Sequence, residues 1–252
     1  MRNLPRFFVP VCAAVVLATC GGERADEDPP GSRNAPVVDS PAATPPTAGL
    51  PVLEGVARFA PVDEGPSDPG FARFRAELLS AIARRDTSAL LAVVAPDIRN
   101  TFGGDDGIAS FRELWRLGEP DSELWSTLET VLRHGGVFRT DGADTSFVAP
   151  YVFAAWPGEH DAFEHVATLT DDAVLRAAPD SAAAPLGVVP HAIVRHRWQD
   201  ADAAPEGWTA IELPRGLQGW IATADVHSPV GYRAIFARRE RSWRMVTLIA
   251  GD

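Results

Sequence analysis

The hydrophobic pattern of this chain changes period once, at Gly135-Gly136, and that change limits the fold more than any other feature. Before it, apolar residues recur on helical faces. Asp68-Pro69 reads as a cap and first turn, and Phe71, Phe74, Leu78 and Ile82 then share one face up to Arg85. Asp86 or Thr87 can cap a second short helix carrying Leu90, Leu91, Val93 and Val94, stopped by Pro96. Ile108, Phe111, Leu114 and Trp115 predict a third helix ending at Gly118. Leu124, Trp125, Leu128, Val131 and Leu132 predict a fourth, ending at Gly135-Gly136.

Beyond that point the period is two. Residues 137–139, the Asp141-Gly142 turn and residues 147–156 predict a hairpin or the start of a sheet. Near the end, Tyr232, Ala234 and Phe236 alternate with small or polar residues. After the charged turn at 238–242 come Trp243, Met245, Val246, Leu248 and Ile249, apolar on both faces, as expected of a strand that is central or covered by helices. Helical stripes that need a partner surface, followed by strands, predict an α+β fold with the helical segment packed on antiparallel strands.

Composition bounds the rest. A chain of 252 residues, 46% hydrophobic and 23% charged, can bury a substantial core. Its 23 basic residues are all arginine, and the formal net charge is −11, which repels phosphate backbones and argues against nucleic acid as a partner. Residues 1–19 read as a signal peptide: Arg2 and Arg6 precede an apolar stretch, residues 7–18, too short to span a bilayer. Removing them would lower the net charge by two. Cys12 would leave with them, so Cys20 would be the one remaining cysteine, which excludes an internal disulfide, a cysteine zinc site and a cysteine nucleophile. Residues 20–66 then read as a polar, proline-rich tether. The stretch 23–66 holds nine prolines and eight acids against three arginines, a composition that buries too little apolar surface to offset chain entropy. Val52-Leu53 and residues 56–59 are the part of it able to dock on the folded body.

Three resemblances sharpen these expectations. Leu17-Ala18-Thr19-Cys20 resembles the lipobox of bacterial lipoproteins, with Thr19 where Gly, Ala or Ser is usual. It implies lipid attachment at Cys20, export, and membrane anchoring in the cell envelope. Within residues 166–230, Val174-Leu175-Arg176 followed by Ala178-Pro179, Gly187-Val188-Val189, the stretch beginning at Trp208, and Gly219-Trp220-Ile221 followed by Val226 and Pro229 are similar to a bacterial SH3-like domain. That likeness implies a small β-barrel, and a non-enzymatic role in contacting peptidoglycan or another envelope protein. Trp208, Trp220 and Tyr232 are its candidate ligand-binding residues, set against a simpler role for the two tryptophans as barrel core. The helices of residues 67–165, joined to the strand pair in residues 231–252, resemble the α+β cone of nuclear-transport-factor and ketosteroid-isomerase relatives. This rests on the Arg85-Asp86 break, the Pro96-Asp97 stop and Trp243-Arg244-Met245-Val246. It implies that the SH3-like segment is an insertion, and that a cone pocket could serve an enzyme or a small-molecule binder.

No catalytic residue, cofactor or metal is expected. The glycine-rich stretch 100–107 places Asp105 and Asp106 where a phosphate would need amide dipoles, and it supplies too few oxygens for calcium, so it reads as a turn before a helix. His160, Glu164 and His165 lack zinc-protease spacing and read as a surface cluster. His134 has a structural reason at a helix C-terminus. No Gly-x-Ser-x-Gly motif is present.

Overall fold

A computed structural model describes residues 49–142, 144–198 and 204–251. The helical expectations translate into α1 (Pro69–Ala83), α2 (Thr87–Val93), α3 (Ile108–Leu114) and α4 (Leu124–Arg133). Asp68 Oδ1 accepts from Phe71 N at 2.8 Å and Asp86 Oδ1 from Ala89 N at 3.0 Å, so each carboxylate satisfies an amide that the first helical turn leaves unpaired.

These helices lie against a five-stranded sheet in the order β2-β13-β12-β4-β3, built from β2 (Val94–Arg99), β3 (Val137–Asp141), β4 (Asp144–Ala149), β12 (Arg233–Arg239) and β13 (Ser242–Ile249). The C-terminal strands therefore pair with the helical half: Phe236 lies opposite Phe147, and Met245 runs parallel beside Val94. Strand β13 is interior, flanked by β12 and β2, which accounts for its two apolar faces. The sequence pattern missed β2, because Pro96 was read only as a helix stop. Proline is tolerated there because β2 is an edge strand. Likewise the stretch 147–156 is strand only to Ala149; Pro150 ends it, and α5 (Tyr151–Ala154) follows.

Phe71 is the hub of this half. Its ring lies 4.2 Å from Phe147, 5.0 Å from Trp243 and 5.6 Å from Phe138, centroid to centroid, with no exposed surface. Leu78, Leu128, Phe147 and Phe236 fill the space between helices and sheet. The space where the cone resemblance implied an apolar pocket is occupied by the helix stripes.

Between β4 and β12 the chain forms a second sheet of β5 (His165–Thr168), β6 (Val174–Arg176), β7 (Pro185–Val188), β8 (Ala192–His196), β9 (Trp208–Leu213), β10 (Leu217–Ala222) and β11 (Val226–His227). Its order is β11-β5-β8-β9-β10-β6-β7, with β1 (Ala57–Arg58) pairing on β8. The expected SH3-like barrel is corrected here. Closure requires the end strands to share a ladder, and β7 and β11 do not pair. The outer edge of β7 bonds instead to the N-terminal segment, Leu53 N to Val188 O at 2.8 Å and Val188 N to Pro51 O at 2.9 Å. The α+β arrangement stands; the barrel does not.

That N-terminal segment is ordered further back than the tether reading put its folded boundary. Val52 bridges Val188, β1 joins β8, Phe59 is buried with Tyr151, Val152 and Ile193, and Asp63 bridges Gly136. Arg75 grips Asp63 at 2.7 and 2.8 Å. Gly136 leaves no room for a side chain, since a Cβ there would lie 2.2 Å from Val148 O.

Candidate functional site

The ligand-binding candidates do not form one surface. Register places Trp208 opposite Ala222 and Trp220 opposite Ala210, so both tryptophans share the face of β9 and β10 that points away from buried Ile211 and Ile221. Both are half-buried. Tyr232 lies elsewhere, its ring 5.0 Å from Trp115, over a small cleft bordered by Thr130 and His227. Burial, then the negative charge of Glu123, raises the Tyr232 phenol above its ordinary value. Cys20 lies outside the described residues. The expected signal peptide, residues 1–19, lies outside them too, and no helix among the described residues is long and apolar enough to cross a membrane. With the barrel gone, the peptidoglycan and envelope-protein partners inferred from it lose their basis.

Other clusters are bonded mostly among their own neighbours, although Asn100 Oδ1 is buried without a partner. On the second sheet, Glu164 lies 3.5 Å from Arg195, which faces Glu212 across the β8–β9 pair, and Gln218 donates to Glu212 at 3.3 Å. His160 and His165 come within 5.4 Å, ring to ring, yet no group of three possible metal ligands exists among the described residues. In the 100–107 loop, Asn100 donates to the carbonyls of Asp105 and Gly107 while Asp106 accepts from the Asn100 amide, so the loop is tied by internal bonds.

His227 is the most perturbed base. Burial and nearby His134, 6.3 Å away ring to ring, outweigh its bond with Ser228 O and push it down to about 4. Its cleft holds Ser126, Thr127 and Thr130 but no carboxylate to orient an imidazole, so it lacks the makings of a proton relay.

The remaining cluster lies at the charged turn of residues 238–242. Arg238, Arg239, Arg241 and Arg244 sit on the β12–β13 hairpin, and Arg73 on α1 faces them across a groove. The hairpin turns on Glu240 and Arg241, with φ of 48° and 73°, a left-handed pair for which Asn-Gly is the low-cost choice. Arg238 spans Asp68 at 3.5 Å and stacks over Trp243 at 5.3 Å, and Arg244 donates to Ala92 O. Arg73, Arg239 and Arg241 are exposed and have no bonded or ion-paired partner among the described residues.

Two clefts flank the hairpin. One, of about 430 Å³, runs between α1 and the hairpin, with Arg73, Arg238, Arg241 and Arg244 in its walls against a single acid, Glu77. The other, of about 830 Å³, lies toward β2 over Leu91, Val94 and Pro96, where Asp97 and Glu240 offset Arg238, Arg239 and Arg244. The sequence signal for this site was a local reversal of charge, four arginines within seven residues of a chain whose net charge is −11. The chain matches no protein-family model, and no curated protein matches its sequence.

Proposed function

We propose that this is a non-catalytic binding protein of the cell envelope that recognises an anionic ligand through the arginine-bordered end of its five-stranded sheet. The observation that carries the reading is the convergence of Arg73, Arg238, Arg239, Arg241 and Arg244 at one end of an otherwise acidic molecule. A chain of net charge −11 repels anions overall, so a cluster of arginines at one place would both attract and orient an anionic partner. The envelope location rests on residues 1–20 alone.

Retention of the full chain on immobilised polyglutamate at low ionic strength tests it. We expect retention that weakens steeply with salt, is abolished by Arg239→Glu with Arg241→Glu, and is unaffected by Arg195→Glu on the other sheet. Passage without retention, or equal loss in the Arg195 variant, would remove the reading.

A further inference from the structure

Resting on that reading, we infer that the groove between α1 and the β12–β13 hairpin is a phosphate site. Four guanidiniums border it and only two are engaged, Arg238 by Asp68 and Arg244 by Ala92 O. A planar carboxylate is satisfied by one arginine fork, whereas a tetrahedral phosphate carries more charge and accepts from several directions at once. Arg73 on one wall and Arg241 on the other are the free forks, and the exposed Ser242 hydroxyl lies beside them.

Two further observations point to a ligand. Trp243 is 6% exposed and its Nε1–H has no acceptor, a donor left unsatisfied in the wall of the groove. It approaches the groove at Gly70, where a Cβ would lie 3.0 Å from Asp68 Oδ1, 3.6 Å from Arg238 Nη2 and 3.9 Å from Trp243 Nε1, so the missing side chain leaves space beside the two donors, with the Asp68 carboxylate, already bonded to Arg238 and to Phe71 N, on its inner side. The second is the turn itself. Arg241 occupies a left-handed conformation at φ 73° that glycine would adopt without strain, and from there it lines the same groove as Arg73.

The test uses the full chain with two probes: inorganic phosphate, followed by phosphorus NMR, and phosphatidylglycerol–phosphatidylcholine vesicles, followed by co-sedimentation. Saturable binding of either probe is expected, weakened at least tenfold in Arg73→Gln with Arg241→Gly. Binding of inorganic phosphate identifies a free phosphate ligand; binding of vesicles alone identifies a lipid headgroup as the source. Arg241→Gly by itself relieves the turn, so it is expected to melt no lower than the parent while binding less, which separates lost recognition from lost folding. Failure to bind both probes, or binding unchanged in the double variant, overturns the inference. If polyglutamate retention persists in that case, the broader anion reading survives without it; if that retention is also absent, both fall.

Discussion

The two sheets solve the same problem with different materials. The five-stranded sheet is covered by helices and packed with rings, Phe71 touching five other aromatic side chains. The eight-stranded sheet carries an aliphatic core of Val166, Leu175, Val194, Ile211 and Ile221 and relies on the N-terminal segment to cover its edges. Their charged surfaces differ in the same sense. On the eight-stranded sheet Arg195 lies between Glu164 and the cross-strand Glu212, whereas the helical half gathers five arginines around one groove and hairpin, of which Arg238 alone has an ion pair among the described residues, with Asp68. An internally neutral surface needs nothing from outside; a surface of unanswered charge does.

The comparison breaks most readily at the cores. Phe71→Ala is expected to cost about 3–5 kcal/mol, and Ile211→Ala about 2–5 kcal/mol. Chemical denaturation of each would show whether both losses appear in one transition or whether the sheets part company. If Phe71→Ala unfolds the helical half and leaves the other sheet's signal intact, the sheets are separate cooperative units.

The histidine pair sharpens the comparison by pH, because His134 ends α4 while His227 lies in β11 of the other sheet. Both are held below their ordinary values, His227 at about 4. An unfolded histidine takes its proton near pH 6.5 and the folded one later, so stability is full above pH 6.5 and falls as pH drops toward 4. For His227 the loss is at most about 3 kcal/mol. Thermal melts from pH 7.5 to 4 should show that slope, reduced in His227→Asn.

Smaller effects test the two charged surfaces. Arg241→Gly should stabilise by about 1 kcal/mol, by relieving a left-handed residue. Arg195→Ala, removing one side of an exposed pair, should change stability by less than about 1 kcal/mol. A larger loss from Arg195→Ala than gain from Arg241→Gly would reverse the assignment of which surface is self-sufficient.

Much of the helical half was legible because its pattern repeats locally: Asp68 and Asp86 cap as their positions suggested, and the four stripes face one core except at Leu114, which ends α3 in solvent. The second sheet was not, because closure depends on partners far along the chain, and residues 51–58 cannot be seen from the β7 or β8 sequence to be the strands that take their edges. Trp208 and Trp220 share one face of β9 and β10, a neighbourhood that only the strand register reveals, and Tyr232, grouped with them as a ligand candidate, packs on Trp115 instead. The arginine site was hidden for a different reason. Its turn announces charge, while Arg73 is more than 160 positions away and joins it only through the packing of α1 on β13.

The segment from Pro51 to Asp63 meets β7, β8 and the start of β3 in succession. It is stitched through both halves before the first helix begins, like a lace drawn across two panels. Any force or cut applied just ahead of Pro69 therefore reaches both sheets together, and whatever binds the residues before Gly49 holds the whole molecule by its seam.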